Sequence, residues 1–280
     1  MPELPEVETV ARTLAPQVLG RRISAPRILD PKAIQAGREL LPRLEGARIE
    51  AVRRRAKLLL INAACADNEP LSLAFHLKMT GRLFVHPAGT ESHKHTRLTF
   101  CLQSEPEDEE RLLFFDDVRR FGYCRVMRPE EFAHWSFWAA LGPEPLETPP
   151  SAIAERLVSR RGRIKALLLN QEVIAGIGNI YADESLYKAG IRPDVQADRL
   201  GLPRLTALGN ALQEVLRESI RQCGSSIRDY RDAEGNAGAF QNTFMVYGRS
   251  GESCRVCGKK LRKCVVAGRT TVFCPGCQKA

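Results

Sequence analysis

The last 27 residues of the chain hold four cysteines, Cys254, Cys257, Cys274 and Cys277, in the spacing C-x2-C-x16-C-x2-C. Each C-x-x-C offers two thiolates from one tight turn. The segment between the pairs is long enough to return as a hairpin, so the four sulfurs can close a tetrahedron around one structural zinc ion. The same stretch carries Arg255, Lys259, Lys260, Arg262, Lys263, Arg269 and Lys279 and no acidic residue. A metal-closed knob with a wholly positive surface is suited to gripping phosphate.

The rest of the composition agrees with a polyanionic partner. The chain of 280 residues has a net charge of +9 with 44% hydrophobic and 27% charged residues, which is ordinary for a folded protein and leaves room for two or three domains. A basic surface favours nucleic acid through counterion release, although it also serves solubility. No apolar run approaches the roughly 20 residues of a spanning helix, and the acidic, proline-rich start is unlike a signal peptide. The five remaining cysteines, Cys65, Cys101, Cys124, Cys223 and Cys264, have no framework spacing. They are expected to be reduced and mostly buried, in a cytoplasmic compartment.

The texture along the chain divides it. Val7, Val10, Ala11 and Leu14 recur at helical spacing behind Pro5, with Glu3 and Glu6 at the positive end of the helix dipole. Short β-type runs follow at 49–53, 58–62, 71–77, 83–86, 98–102, 111–115 and 123–127, the pattern of a sandwich or barrel. A proline-rich linker comes next, then helical patterns at 152–159, 164–169, 180–188 and 205–223, and a Gly/Ser/Asp/Asn-rich stretch before the cysteines. The expected organisation is α+β and multidomain. It has a leading helix with a β-sandwich over 1–140, a linker over 141–151, a helical domain over 152–240 that includes a loop at 224–240, and a zinc-finger hairpin over 241–280.

Several local patterns admit two readings each. Gly176-Ile177-Gly178-Asn179 is either a phosphate cradle at a helix N-terminus or an ordinary helix corner. Arg119, Arg120 and Phe121 on one turn are either a wedge for a base step or a hairpin with a core phenylalanine. Met79 is core filler unless context says otherwise. Lys57, after Arg53-Arg54-Arg55, lines a phosphate groove or solvates a strand end. His93, His95 and Cys65 have no companions at metal spacing. Pro2 becomes a secondary amine if Met1 is removed. Such an amine titrates near pH ~8 and forms a cationic iminium with a sugar aldehyde, with Glu3 and Glu6 placed to move protons. An N-terminal proline also simply resists degradation.

Taken together these pieces resemble the bacterial formamidopyrimidine-DNA glycosylases. The residues that carry the resemblance are Pro2-Glu3-Leu4-Pro5-Glu6-Val7-Glu8, Arg54-Arg55-Ala56-Lys57, His76 to Gly81, Asp117 to Gly122, Ala175 to Glu184, and Val246 to Gln278. The resemblance implies a β-sandwich led by a catalytic helix, a helix–two-turn–helix domain and a zinc finger, with duplex DNA across the cleft between the two halves. It implies that Pro2 attacks the anomeric carbon of a flipped, damaged nucleotide, that Glu3 protonates the opening sugar, and that Glu6 positions the site. Lys57 joins this catalytic set through a phosphate contact, with His95, Asn179, Tyr247 and Arg269 as further phosphate contacts. Met79, Arg119 and Phe121 fill the hole left by the flipped base, and Lys165 lies near the damaged-base pocket. Excision is followed by β- and δ-elimination, and one zinc on Cys254, Cys257, Cys274 and Cys277 holds an arginine finger. The resemblance further implies a monomer that is nucleoid-associated through DNA.

Within the family, the Pro-Glu-Leu-Pro opening, Met79 and the 224–240 loop resemble the enzymes for oxidised purines (8-oxoguanine and formamidopyrimidines) rather than the endonuclease VIII branch. Asn170-Gln171, Cys264 and the loop residues Arg228, Tyr230 and Arg231 depart from the family pattern. A non-catalytic zinc-finger DNA binder is the reading from another class, and it leaves Pro2-Glu3 unexplained.

Overall fold

The computed structural model describes residues 1–103, 109–227 and 229–280. They form two compact units, Met1–Ala139 with Cys223–Ala239, and Ala140–Gln222 with Phe240–Ala280. Arg228, one of the loop residues singled out above, lies outside the described residues.

The first unit begins with α1 (Leu4–Val18). Pro5 lies in its first turn, and the backbone N–H of Glu3 donates to Glu6 Oε2 at 2.8 Å, which satisfies one of the exposed donors of the helix start. Its buried stripe is Val7, Val10, Ala11, Leu14 and Val18, and Gly20, at φ +79°, turns the chain away. Among the described residues nine strands follow: β1 (Arg22–Ile28), β2 (Ile34–Ala36), β3 (Arg48–Arg55), β4 (Leu58–Ala64), β5 (Pro70–His76), β6 (Gly81–Pro87), β7 (Thr96–Gln103), β8 (Arg111–Asp117) and β9 (Tyr123–Met127). Two short helices, α2 (Glu131–His134) and α3 (Ser136–Ala139), close this run.

The strands pair in the order β2-β9-β5-β4-β3-β1-β7-β8-β6. β1 and β3 share one register pair, Arg22 with Arg48, and there the sheet turns a corner. Phe75 of β5 and Phe115 of β8 are far apart in strand order, yet their rings lie 5.3 Å apart. The two halves of the sheet therefore face each other as a sandwich, and the stripe of α1 joins the same apolar cluster. On its other face, the β5–β4 half is covered by Trp135, Phe132, Phe137 and Trp138 of the α2–α3 segment. Burial on both faces explains why β4 and β5 read as unbroken apolar runs rather than alternating ones.

The second unit contains α4 (Pro150–Val158), α5 (Ile164–Leu169), α6 (Asn179–Lys188) and α7 (Gly201–Arg221), then the hairpin β10 (Arg262–Val266) and β11 (Arg269–Phe273). α7 starts four residues before the expected Leu205, because Pro203 is tolerated in a first turn. The proline-rich stretch is fastened rather than loose. The side-chain amide of Gln213 on α7 donates to the carbonyls of Pro145 and Thr148, both at 2.8 Å. Among the described residues no helix is long and apolar enough to cross a membrane.

Phe115 couples the two halves of the sandwich, so Phe115→Ala should cost about 3–5 kcal/mol of stability. Denaturant unfolding followed by circular dichroism measures this directly.

Candidate active site and nucleic-acid interface

Pro2 and Glu3 are buried where the chain enters α1, and Met1 before them is exposed. With Met1 in place the Pro2 nitrogen is an amide. Glu6, also buried, uses both carboxylate oxygens. Oε2 receives the N–H of Glu3, and Oε1 receives the N–H of Ser225 at 2.8 Å. Tyr230 donates its hydroxyl to the Glu6 carbonyl at 3.2 Å, and the N–H of Ala233 reaches Thr13 Oγ1 at 3.1 Å. The loop grouped above with the helical stretch is thereby tied to α1 and clusters with the first unit. Burial, and then the neighbouring Glu6 charge, raise the pKa of Tyr230, so its phenol remains a donor. Gly224, at φ +79°, passes so close that a Cβ there would stand 3.1 Å from the Glu6 carboxylate.

Lys57 occupies the two-residue turn between β3 and β4, next to Ala56 at φ +54°, and is largely buried. His76, which opens the His76–Gly81 motif but has no role of its own assigned from sequence, ends β5 and sits opposite Leu58 in the neighbouring strand. Its side chain is 5% exposed and lies 5.6 Å from the Tyr123 ring. Burial, and then the charges of Lys78 and Lys57, push its pKa from the ordinary 6.5 down to about 3. Its Nδ1 accepts the Lys78 N–H at 3.1 Å, which assigns the proton to Nε2. The sequence signal was faint: a histidine ending an apolar run, two residues before a lysine.

Asp117 organises the next group. Its carboxylate accepts the N–H of Arg119 at 3.2 Å and that of Gly122 at 2.6 Å, and also pairs with the Thr80 hydroxyl. Its own N–H donates to the carbonyl of His95 at 2.9 Å. The buried carboxylate thus gathers the turns carrying Met79 and Arg119–Phe121, and the main-chain N–H of the same residue holds the turn of His95. Gly122 is required because a Cβ there would meet the Phe115 ring at 2.9 Å. Phe121 is 54% and Met79 37% exposed, and the Arg119 guanidinium lies 4.8 Å from the Phe121 ring centroid. Large apolar side chains held outward on braced turns suit insertion between bases.

In the second unit, α6 does the gathering. Asn179 donates to the carbonyl of Thr270 at 3.1 Å, Asp183 accepts the N–H of Val272 at 3.1 Å, and Glu184 accepts those of Met245, Val246 and Tyr247 at 2.9, 2.9 and 2.8 Å. This brings half-buried Tyr247 and the hairpin with exposed Arg269 onto one helix. Lys165 is 0% exposed, its ammonium 2.6 Å from Asp183 Oδ1 and 2.6 Å from Thr271 Oγ1. The structure thus makes it an internal strut of this unit rather than a surface cation. Burial raises the Asp183 carboxyl to about 6 against the pull of Lys165.

The sulfurs of Cys254, Cys257, Cys274 and Cys277 all lie within 4.8 Å of one another, with 3.8 Å from Cys254 to Cys277 and 3.4 Å from Cys257 to Cys274. Zinc–sulfur bonds of ~2.3 Å in a tetrahedron require edges of about 3.8 Å, so the set fits one structural zinc. Cys264 sits on β10 opposite Thr271, outside the tetrad. Tyr187 of α6 places its hydroxyl 3.4 Å from Cys254 Sγ, where it supports the thiolate.

Two outcomes follow from this geometry. The lowered pKa of His76 means that the unfolded chain binds the extra proton first, so stability is full above pH ~6.5 and falls as pH drops toward 3. At pH 5 the loss is about 2 kcal/mol, and His76→Gln should flatten it in urea unfolding at pH 5 and 7.5. Cys274→Ser should lose the zinc and weaken duplex binding at least tenfold, by metal analysis and fluorescence anisotropy.

Three stretches of the chain match known protein families. Residues 1–124 match the formamidopyrimidine-DNA glycosylase N-terminal domain, 141–231 the H2TH domain of the same enzymes, and 251–280 the zinc finger found in FPG and IleRS. Formamidopyrimidine-DNA glycosylase of Nitratidesulfovibrio vulgaris is 44% identical, with all of both chains covered. A Lactococcus lactis FPG mutant in complex with Fapy-dG containing DNA is 34% identical over all of both chains, at a TM-score of 0.88. MutM in complex with carbocyclic 8-oxo-G containing DNA is likewise 34% identical over all of both chains, at 0.87. The chain belongs to the formamidopyrimidine-DNA glycosylase family.

Proposed function

We propose that this DNA glycosylase of base excision repair removes oxidised purines, 8-oxoguanine and formamidopyrimidines, from duplex DNA and then cuts the strand as an abasic-site lyase. The observation that carries the reading is the buried start of α1, where Pro2 and Glu3 sit beside Glu6 and Glu6 holds the 223–239 loop. After removal of exposed Met1, the Pro2 amine forms a bond to C1′ of a flipped nucleotide as the glycosidic bond breaks and the base leaves with a proton. Glu3 protonates the ring oxygen, the sugar opens, and a cationic iminium results. Loss of the C2′ proton expels the 3′ phosphate, loss of the C4′ proton expels the 5′ phosphate, and water releases the sugar fragment from Pro2.

Lys57, His95, Asn179, Tyr247 and Arg269 hold phosphates in this reading, and neutral His76 adds an N–H donor. Met79, Arg119 and Phe121 fill the vacated space in the duplex. Lys165 enters through Thr271, as support for the strand that Arg269 begins, and zinc closes the hairpin that carries Arg269. The relatives named for Fapy-dG and 8-oxo-G support the choice of oxidised purines.

Borohydride trapping on a duplex with 8-oxoguanine opposite cytosine tests the reading. Chain beginning at Pro2 should give a covalent adduct that Pro2→Gly abolishes, and Glu3→Gln should slow base release at least ~100-fold. No adduct despite a free Pro2 would shift the substrate to oxidised pyrimidines, and failure there would leave a DNA-binding module.

A further inference from the structure

Of the three consecutive arginines before Lys57, Arg54 is turned inward: its side chain is 5% exposed. Its Nε donates to Glu8 Oε2 on α1 at 2.9 Å, and its Nη1 donates to the carbonyl of Ala56 at 3.1 Å. Ala56 is the first residue of the two-residue turn whose second residue is Lys57, and it sits at φ +54°, a conformation that a side chain disfavours. Arg54 therefore closes the turn through its carbonyl and ties it to the helix that begins at the nucleophile. Glu8, 20% exposed, also accepts from Arg12 at 2.8 Å, but Arg12 is 64% exposed and adds little. Only a planar guanidinium can serve a carboxylate and a carbonyl from two edges at once; a lysine ammonium cannot hold both in this geometry.

We infer that Glu8 and Arg54 are positioning residues for Lys57, fixing the β3–β4 turn against α1 so that the Lys57 ammonium is held at a set distance from the start of the helix. The inference rests on the proposed reaction for its kinetic consequence, since Lys57 there holds a phosphate of the reacting strand. Misplacing such a group by an ångström costs one to two orders of magnitude in rate. The brace itself is a matter of geometry and has a readout that needs no catalysis.

Arg54→Lys and Glu8→Gln are compared with the full chain on a duplex bearing an abasic site, each variant checked for zinc content and melting temperature. Expected are near-native folding and single-turnover strand cleavage reduced by about tenfold. In a Lys57→Ala background, Arg54→Lys should cause no further loss, because the residues act as one unit. In parallel, labelling of Lys57 by an amine-reactive reagent, read by peptide mass spectrometry, should speed up several-fold in both variants. Native labelling of Lys57 in both variants would overturn the brace, as would an effect on cleavage that multiplies with that of Lys57→Ala. If the full chain failed to cut the duplex, the reaction assigned above would fall, and the labelling rates would still decide the brace. Glu8→Gln keeps the test open should Arg54→Lys not fold.

Discussion

Glu184 lies inside the second unit with three main-chain N–H groups, from Met245, Val246 and Tyr247, converging on its two oxygens. Burial raises its pKa, and those three donors pull the other way. A hydrogen bond to a charged acceptor is worth about 1.5–3 kcal/mol, and stranding such a group costs as much or more. The loop therefore cannot leave without exposing a desolvated carboxylate. The same device recurs at Asp117, which gathers the turns of Met79 and Phe121, and at Glu6, which holds Ser225. Each exposed group of the proposed DNA interface in these loops is carried by backbone that a buried acid has fixed.

This arrangement suits the work such loops have to do. Proposed wedge residues must stand in water, where packing cannot hold them, so order has to come from beneath. Arg120 shows the principle at the surface of the same turn: its guanidinium forks onto Asp30 at 2.7 and 2.9 Å, leaving Arg119 and Phe121 to face outward. In the finger, where there is little apolar core, zinc thiolates take over the role of the acids. α6 links the two strategies, since Asn179, Asp183 and Glu184 hold backbone while Tyr187 supports the thiolate of Cys254.

Much of this was legible in the residues, and the parts that were not have physical causes. Among the seven β runs, β4, β5 and β9 stood out because both of their faces are buried. β1 escaped notice because Ala25, at φ +43°, precedes Pro26 and the register shifts between Ser24 and Arg27, which breaks the alternation. Helices of four residues such as α2 and α3 are too short to show a period, although their tryptophans cover a face of the sheet. The cysteine tetrad was plain from spacing alone. Arg54 read as part of a basic cluster, since nothing local reveals that its partner is a glutamate 46 positions earlier. His76 and the attachment of the 223–239 loop to α1 depend on contacts across β strands and across most of the chain, which no local pattern encodes.

The first unit is discontinuous along the chain: its last piece, Cys223–Ala239, is separated from the rest by the whole of the 140–222 segment. During synthesis the sandwich and α1 emerge first and can begin to pack, but Glu6 has no Ser225 to receive until nearly all of the chain has left the ribosome. A polypeptide that stops short of the loop therefore has the start of α1 without the loop that Glu6 holds beside it. The start of α1 therefore reaches its final surroundings only after residues 223–239 have been made.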